Sequence, residues 1–175
     1  CLFEASPQVT LLDLDLGPIG RGQDVLRGAL HSGSAVIIVS ATNDEGEVGE
    51  CIELGAAGWV PKSASYDVLL AAVQAVASGQ PLLSPTEKDR YLRAWRESRE
   101  RRSKALAPFA QLSRREGEVL GMLIKGISVD RIAAESYVSE TTVRTQVQAV
   151  LRKLGVNSQL EAVAMASRAG WPAKR

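Results

Sequence analysis

Cysteine, histidine and long apolar runs are all scarce in this chain of 175 residues. Its two cysteines, Cys1 and Cys51, cannot build a disulfide framework or a cysteine-rich zinc site, which fits a reducing, cytoplasmic setting. No apolar run approaches the roughly 18 residues that a bilayer span needs, and the first residues lack the basic flank and apolar stretch of a signal peptide. The sequence therefore predicts a soluble protein without a membrane partner.

Charge is distributed unevenly along the chain. Residues 1–83 carry three Lys and Arg against ten Asp and Glu, a net charge of −7, whereas residues 84–107 and residues 108–175 each carry a net charge of +4. Such a division is typical of an acidic module that binds a cation or a partner, followed by a basic module suited to phosphate-rich surfaces. Solvated charged faces produce the same totals, so charge alone leaves nucleic-acid binding open.

Short apolar runs alternate with helical patterns over the first 83 residues, and this alternation is typical of a parallel sheet covered by helices. The predicted strands are Val9–Leu12, Ala35–Val39 and Gly58–Val60, and the predicted helices lie near Gly22–Ser32, Asp44–Leu54 and Tyr66–Ser78. Ser84 and Glu87 then predict a capping box at the start of a mostly charged helix that runs to about Lys104. We interpret this helix as a connector outside any core, because it offers few apolar side chains.

Four helices with defined ends are predicted from Ser113 onward. Capping boxes are predicted at Ser113–Glu116 and Ser158–Glu161, N-caps at Ser128 and Ser139, and helix ends at Gly126, Gly155 and Gly170. The second and third of these helices are joined by a tight turn, and the third is the longer. This order of elements is the one that places a recognition helix in the major groove of DNA.

The long helix that begins after Ser139 has two chemically different faces. Its apolar residues recur at helical spacing and predict a stripe for the core: Val143, Val147, Val150, Leu151 and Leu154. The opposite side carries Arg144, Thr145, Gln148 and Arg152, whose guanidinium, methyl and amide groups suit the edges of DNA bases. A helical bundle with a solvated polar face has the same spacing, so the pattern alone leaves both interpretations open.

One stretch of about sixty residues carries motifs of a known family. Leu112–Glu116, Ser139–Thr145 and Lys153–Val156 resemble the LuxR-type helix-turn-helix domain. The resemblance implies a four-helix domain that binds promoter DNA as a homodimer, with the fourth helix, Ser158–Ala169, supplying much of the dimer contact. By position it implies base contacts by Arg144, Thr145 and Gln148, and contacts to the DNA backbone by Ser139, Thr142 and Lys153. Gln146 stands where the family often has His, so no operator sequence is transferable.

Polar side chains also stand at the ends of the three predicted strands: Asp13, Ser40 and Lys62. At the carboxyl ends of parallel strands this trio suits phosphoryl transfer, with the aspartate as acceptor and the other two groups holding phosphoryl oxygens. Residues 9–78 resemble the receiver domain of response regulators. The resemblance implies Asp13 as the phosphoacceptor and Ser40, Trp59 and Lys62 as switch residues. With a LuxR-type domain behind it, the order resembles the NarL/FixJ class and implies a sensor histidine kinase as partner of a complete receiver.

The receiver-like segment departs from that family before Asp13. A full receiver has a strand, a helix and a second strand ahead of this position, and its first strand delivers the acidic pair that holds Mg²⁺. Without the pair we expect Asp13 to be a weak metal ligand and an inefficient phosphoacceptor, and the Val9–Asp13 strand to be an exposed edge. Mg²⁺ is expected only for a complete receiver, and DNA binding is expected to need no cofactor.

The sequence thus predicts a protein of the α/β plus all-α class. Its parts are a truncated, parallel-sheet, receiver-like domain at 1–83, a connector helix and linker at 84–107, and a four-helix LuxR-type domain at 108–175. The predicted function is a non-enzymatic, DNA-binding transcription regulator of a two-component phosphorelay. One alternative is a regulator that binds DNA and dimerises independently of phosphorylation. A haloacid-dehalogenase-like phosphatase is a remote alternative, because Asp13, Asp15 and Lys62 resemble its motifs while Asp67 alone follows as a further acidic ligand.

Overall fold

The computed structural model describes residues 7–15 and 22–171, without the Asp24 side chain, so Cys1 lies outside the described residues. Contacts group the chain into two compact units, Cys1–Arg99 and Glu100–Arg175. The three-part division at residues 83/84 and 107/108 stays a prediction. None of the described helices combines the length and the apolar composition of a membrane span.

The first unit is built on a parallel sheet. Its elements are β1 (Val9–Leu12), α1 (Gly22–His31), β2 (Ala35–Ser40), α2 (Glu45–Leu54), β3 (Gly58–Pro61) and α3 (Tyr66–Ala77), with strand order β1-β2-β3. Leu12 pairs with Ile38, and Ser40 pairs with Pro61, so the carboxyl ends of the three strands lie at one edge of the sheet. The predicted parallel, helix-covered sheet is confirmed.

Strand β2 forms the buried centre of this sheet. Val36 and Ile38 point to the face that α1 and α2 cover, and Ile37 points to the face that α3 covers, because successive side chains of a strand alternate. All three are fully buried. Strand β1 is an edge of the described sheet, where Leu11 is 46% exposed, in agreement with the expected edge.

Helix α4 (Pro85–Leu106) begins at the predicted capping box, because Ser84 N donates to Glu87 Oε2 at 2.9 Å and Glu87 N donates to Ser84 Oγ at 3.2 Å. The interpretation of this helix as lying outside any core needs a correction for its first half. Tyr91 is buried in a cluster with residues of α2. A Cβ atom on Gly49 of α2 would lie 2.1 Å from the Tyr91 carbonyl oxygen, so the two backbones meet where one residue has no side chain.

The second unit is helical. A 3₁₀ turn (Ala107–Gln111) precedes α5 (Arg114–Ile124), α6 (Val129–Glu135), α7 (Glu140–Leu154) and α8 (Gln159–Ala169). Its core combines buried residues of all four helices: Val119, Leu120, Ile132, Ala133, Val143, Val147, Val150, Leu151, Leu154, Ala162 and Ala166. The predicted four-helix domain is confirmed.

The capping predictions differ in outcome. Ser113 and Glu116 form the reciprocal capping box at α5 as predicted. At α8 the box is half formed, because Glu161 N donates to Ser158 Oγ at 3.2 Å but Glu161 Oε2 accepts from Asn157 N at 2.8 Å. The φ angle of Ser158 is −142°, against −63° at Ser113, so its amide is oriented differently and the carboxylate reaches the preceding residue. The prediction of a reciprocal box at Ser158–Glu161 is wrong.

Candidate nucleic-acid interface

Helices α6 and α7 are joined by the turn Ser136–Val138. Val138 N donates to Ala133 O at 3.1 Å and Tyr137 N donates to Ala134 O at 3.2 Å, the paired bonds of a Schellman motif. Tyr137 therefore occupies the left-handed position that favours glycine, with a φ of 54°. Its side chain is 96% exposed. The sequence predicted the turn but did not single out this residue, because left-handed geometry leaves no signal where the residue is not glycine.

The inner side of α7 is the predicted apolar stripe. Val143 and Val150 are fully buried, and Val147, Leu151 and Leu154 are at most 9% exposed. These five side chains pack with residues of α5, α6 and α8 in the core of the unit. Their burial fixes the rotation of α7 about its axis and turns the opposite side outward.

The outer side carries Arg144, Thr145 and Gln148, which are predicted to read bases, and all three are exposed, as is Arg152. Arg144 is 68% exposed, and its Nη2 atom lies 3.1 Å from Glu140 Oε2, one turn earlier in the helix. Thr145 Oγ1 donates to Thr141 O at 2.9 Å, so its hydroxyl proton is used within the helix and its methyl group is the part suited to thymine. The structure brings the predicted base-reading side chains together on one open surface.

The N-terminal end of α7 presents two exposed hydroxyl groups. Ser139 Oγ accepts from Thr142 N at 3.1 Å, and the Ser139 and Thr142 hydroxyl oxygens lie 2.9 Å apart. Hydroxyls, first-turn amides and the positive end of the helix dipole meet here, and this combination suits a phosphate. The predicted phosphate contacts by Ser139 and Thr142 have compatible geometry.

Lys153 lies apart from this open surface. Its Nζ atom donates to Glu116 Oε2 at 2.6 Å, and the two side chains are 32% and 12% exposed. Glu116 Oε2 also accepts from Ser113 N at 2.7 Å. Burial raises the pKa of the Glu116 carboxyl, but the hydrogen bonds from Lys153 and Ser113 outweigh burial and hold that pKa below its ordinary value of 4.5. The predicted contact of Lys153 with the DNA backbone stays a prediction.

A second cluster of predicted site residues lies at the carboxyl edge of the sheet. Lys62 Nζ forms an ion pair with Asp13 Oδ2, and this hydrogen bond lowers the pKa of the aspartate. Ser40 is buried, and its Oγ accepts from Thr42 N at 3.2 Å. A cavity of about 350 Å³ beside them is lined in part by Ser40, Lys62 and Glu47. The structure thus brings the predicted phosphoacceptor and two of the predicted switch residues to one edge.

The described residues alone do not form a complete set of metal ligands at this edge. Among the described residues no three His, Cys, Asp or Glu side chains are grouped closely enough to hold a metal ion. The Lys62 ammonium is paired with Asp13 Oδ2, so part of the charge of this carboxylate is already compensated. The third predicted switch residue, Trp59, is half-buried, and its ring stands edge-on to Tyr91 of α4 with 6.3 Å between ring centroids. The predicted switch aromatic therefore contacts α4.

Comparisons with known proteins agree on one group. Residues 110–166 match the family described as bacterial regulatory proteins, luxR family. The chain is 30% identical over 165 residues to a nitrate/nitrite response regulator protein homolog of Haemophilus influenzae. The matched residues make up 93% of this chain and 75% of that protein. It is 34% identical over 156 residues to the nitrate/nitrite response regulator protein NarP of Escherichia coli, covering 88% and 70%. It is 33% identical over 165 residues to the probable transcriptional regulatory protein NarL of Mycobacterium tuberculosis, covering 93% and 73%.

Proposed function

This chain belongs to the luxR family of bacterial regulatory proteins and to its two-component response regulators, and we propose that it binds promoter DNA by placing α7 in the major groove. One observation carries the proposal. The five apolar residues of α7 are buried in the core of the second unit, while Arg144, Thr145 and Gln148 stand exposed on the opposite side of the same helix. A rigid helix with this division presents base-reading groups in a fixed orientation.

The exposed residues divide into two roles by their chemistry. The forked guanidinium of Arg144 can pair with a guanine edge, and the side-chain amide of Gln148 can pair with an adenine edge. These two residues therefore give the preference for a particular DNA sequence. Ser139 and Thr142 at the N-terminus of α7, together with Arg152 near its C-terminus, hold phosphates on the flanking backbone. No cofactor takes part in these contacts, so a chelator is expected to leave duplex affinity unchanged.

The test is the salt dependence of duplex binding by the full chain. A duplex is selected by the chain from a library of randomised sequence, and its affinity is measured over a series of salt concentrations. We expect log K to fall linearly with log salt, with a slope of about −0.9 for each neutralised phosphate. The absence of salt-sensitive binding to any duplex would refute the proposal.

The partner in a DNA complex is a second copy of the chain. Leu160 at the start of α8 is 78% exposed, and it borders an apolar groove with Leu123, Ile127 and Val163. An exposed leucine beside such a groove supports a dimer contact through α8. Sedimentation of the chain on duplex DNA tests this point, since a Leu160→Glu variant is expected to bind as a monomer with lower affinity.

The chain is proposed to act without enzymatic turnover, and a generic phosphate ester offered with Mg²⁺ should not be hydrolysed. A sensor histidine kinase is the proposed partner of a complete receiver. The alternative of a regulator that works independently of phosphorylation is favoured by one observation: the Asp13 carboxylate is already paired with Lys62, and the described residues form no group of three His, Cys, Asp or Glu side chains that could hold a metal ion.

A further inference from the structure

The carboxylate that caps the start of α5 also holds the end of α7. Glu116 is the third residue of α5, and Lys153 is the last residue but one of α7, yet the two side chains meet across 37 positions of sequence. We propose that Lys153 is a positioning residue: its ion pair with Glu116 fixes the orientation of α7 on α5, and Lys153 is not a phosphate contact. The inference deepens the proposed DNA-binding function and rests on it.

The geometry of Glu116 leaves its carboxylate little freedom. The Oε2 atom accepts from Ser113 N and from Lys153 Nζ, so one oxygen joins the cap of α5 to the last turn of α7. With 12% of its side chain exposed, Glu116 is poorly solvated if either bond breaks. Removing one partner of such a pair leaves an uncompensated charge, so the pair holds one arrangement strongly. The cation also lies at the negative end of the α7 dipole.

Apolar packing alone does not determine the tilt of α7. Burial of the valine and leucine stripe is non-directional, whereas an ion pair with hydrogen bonds has a preferred distance and direction. Arg144 lies nine residues before Lys153, which is about 13 Å along the axis at 1.5 Å per residue. A small change of tilt at the Lys153 end therefore displaces the base-reading groups. Contacts to base edges depend on such displacements, and contacts to the uniform phosphate backbone depend on them much less.

The neighbouring residue supplies a matched control. Arg152 is exposed and has no acidic ion-pair partner among the described residues. Arg152→Met and Lys153→Met each remove one positive charge at adjacent positions and keep a long apolar stem. The two variants therefore change the net charge of the chain equally. They differ in whether the lost group faces the solvent or α5.

The experiment compares the wild-type chain with Lys153→Met, Arg152→Met and Glu116→Gln, well below their unfolding temperatures. The probes are the duplex that the wild type selects from the randomised library and an alternating dI·dC copolymer as non-specific duplex. For Arg152→Met we expect the salt slope to fall by about one in magnitude. For Lys153→Met we expect an unchanged slope, with a ratio of specific to non-specific affinity at least tenfold lower. A residue that only stabilises the fold would leave that ratio unchanged in folded protein.

Glu116→Gln separates the two roles by the sign of its effect. If Lys153 contacts phosphate, loss of the carboxylate frees the ammonium and removes a negative charge, so binding to both duplexes tightens. If Lys153 positions α7, the selected duplex is bound more weakly. Should Lys153→Met fail to fold, Glu116→Gln carries the test, because its amide still accepts from Ser113 N.

Three results overturn the inference: a slope lowered by about one in Lys153→Met, tighter specific binding by Glu116→Gln, or an affinity ratio that neither variant changes. Failure of the proposed function looks different. In that case the wild type itself shows no salt-sensitive duplex binding, and the inference falls with the function before any variant is compared.

Discussion

Arg144 and Glu140 lie one turn apart on the exposed side of α7, and the guanidinium of the first is held 3.1 Å from the carboxylate of the second. Both side chains are more than half exposed, at 68% and 54%. Exposed pairs at this spacing contribute only about 0.3–0.5 kcal/mol, whereas a bidentate base contact is worth about 1–3 kcal/mol. The pair therefore orders Arg144 in the free chain without preventing its transfer to a guanine.

Arg144→Ala is expected to weaken binding to the selected duplex by about 1–3 kcal/mol and to relax the preference at one base position. The physical reason is the loss of a forked donor from the exposed side of α7. Arg114→Ala is the control, since Arg114 is 88% exposed and lies on α5. Fluorescence anisotropy titration measures both variants, and equal affinities for wild type and Arg144→Ala would remove this residue from the readout.

Asp13→Ala is expected to leave duplex affinity unchanged. In the wild type the carboxylate is paired with Lys62, and the described residues around it supply no further set of metal ligands. For the same reason, incubation with acetyl phosphate and Mg²⁺ is expected to give little phosphorylated protein by intact mass spectrometry. A large loss of affinity in Asp13→Ala would instead show that the receiver-like unit controls DNA binding through this carboxylate.

Two glycine substitutions are expected to have opposite effects on stability. Gly49→Ala places a Cβ 2.1 Å from the backbone oxygen of Tyr91, so α2 and α4 must separate, at a cost of about 1–3 kcal/mol or more. Gly117→Ala in α5 meets only the ring of Trp171 at 3.7 Å and is expected to stabilise its helix by about 0.5–1 kcal/mol. Denaturant unfolding followed by circular dichroism measures both, and stabilisation by Gly49→Ala would contradict the close contact of the two helices.

Tyr137→Gly is expected to stabilise the helical unit by up to about 1 kcal/mol. A left-handed conformation costs a non-glycine residue about 1–2 kcal/mol, and glycine avoids this cost. About half of the stabilisation is offset, because glycine loses more conformational freedom when the chain folds. Little packing is lost, since the tyrosine is 96% exposed. Val138→Gly, at the next position, is the control and is expected to destabilise. A lower unfolding temperature for Tyr137→Gly would show that the ring stabilises the turn.

Stability is expected to depend on pH through Glu116. Burial raises the pKa of this carboxyl, but the hydrogen bonds from Lys153 and Ser113 lower it by more than burial raises it. The pKa in the folded chain therefore lies below the ordinary 4.5. As pH falls, the unfolded chain takes up this proton first, so the stabilisation is fully present above about pH 4.5 and is lost as pH falls through the folded pKa. The unfolding temperatures of wild type and Glu116→Gln should therefore differ at pH 7 and converge in acid. Lys153→Met should converge in the same way, and a gap that stays constant would contradict the coupling.

Local features of the fold were predictable because a few adjacent residues determine them. The capping boxes at Ser84 and Ser113, and the apolar stripe of α7, follow from side chains within one or two turns. The box at Ser158 was predicted incorrectly because its backbone angle is not set by the residue types. The outward residues of α7 could be predicted as well, because burying the apolar stripe on one side of a helix turns the residues on the opposite side toward the solvent.

The contacts that sequence patterns did not reveal join distant elements. Lys153 meets Glu116 from 37 positions away, and periodicity within α7 places a lysine in its last turn without saying what it faces. Burial of Tyr91 depends on the glycine opposite it in α2, a match between two helices that neither pattern contains. The sequence implied that Asp13 and Lys62 lie at the same edge of the sheet, but it did not show that they form an ion pair.

The two units also differ in how far along the chain their backbone hydrogen bonds reach. β1 and β3 both pair in parallel with β2, so each pairing must close a loop that contains a helix before any ladder bond forms. In the helical unit, the regular backbone hydrogen bonds lie within α5, α6, α7 and α8 and join residues four positions apart, although α5 also packs against the more distant α7 and α8. Folding slows as contacts become less local. Refolding from denaturant should accordingly be biphasic, with the helical unit regaining its structure before the sheet.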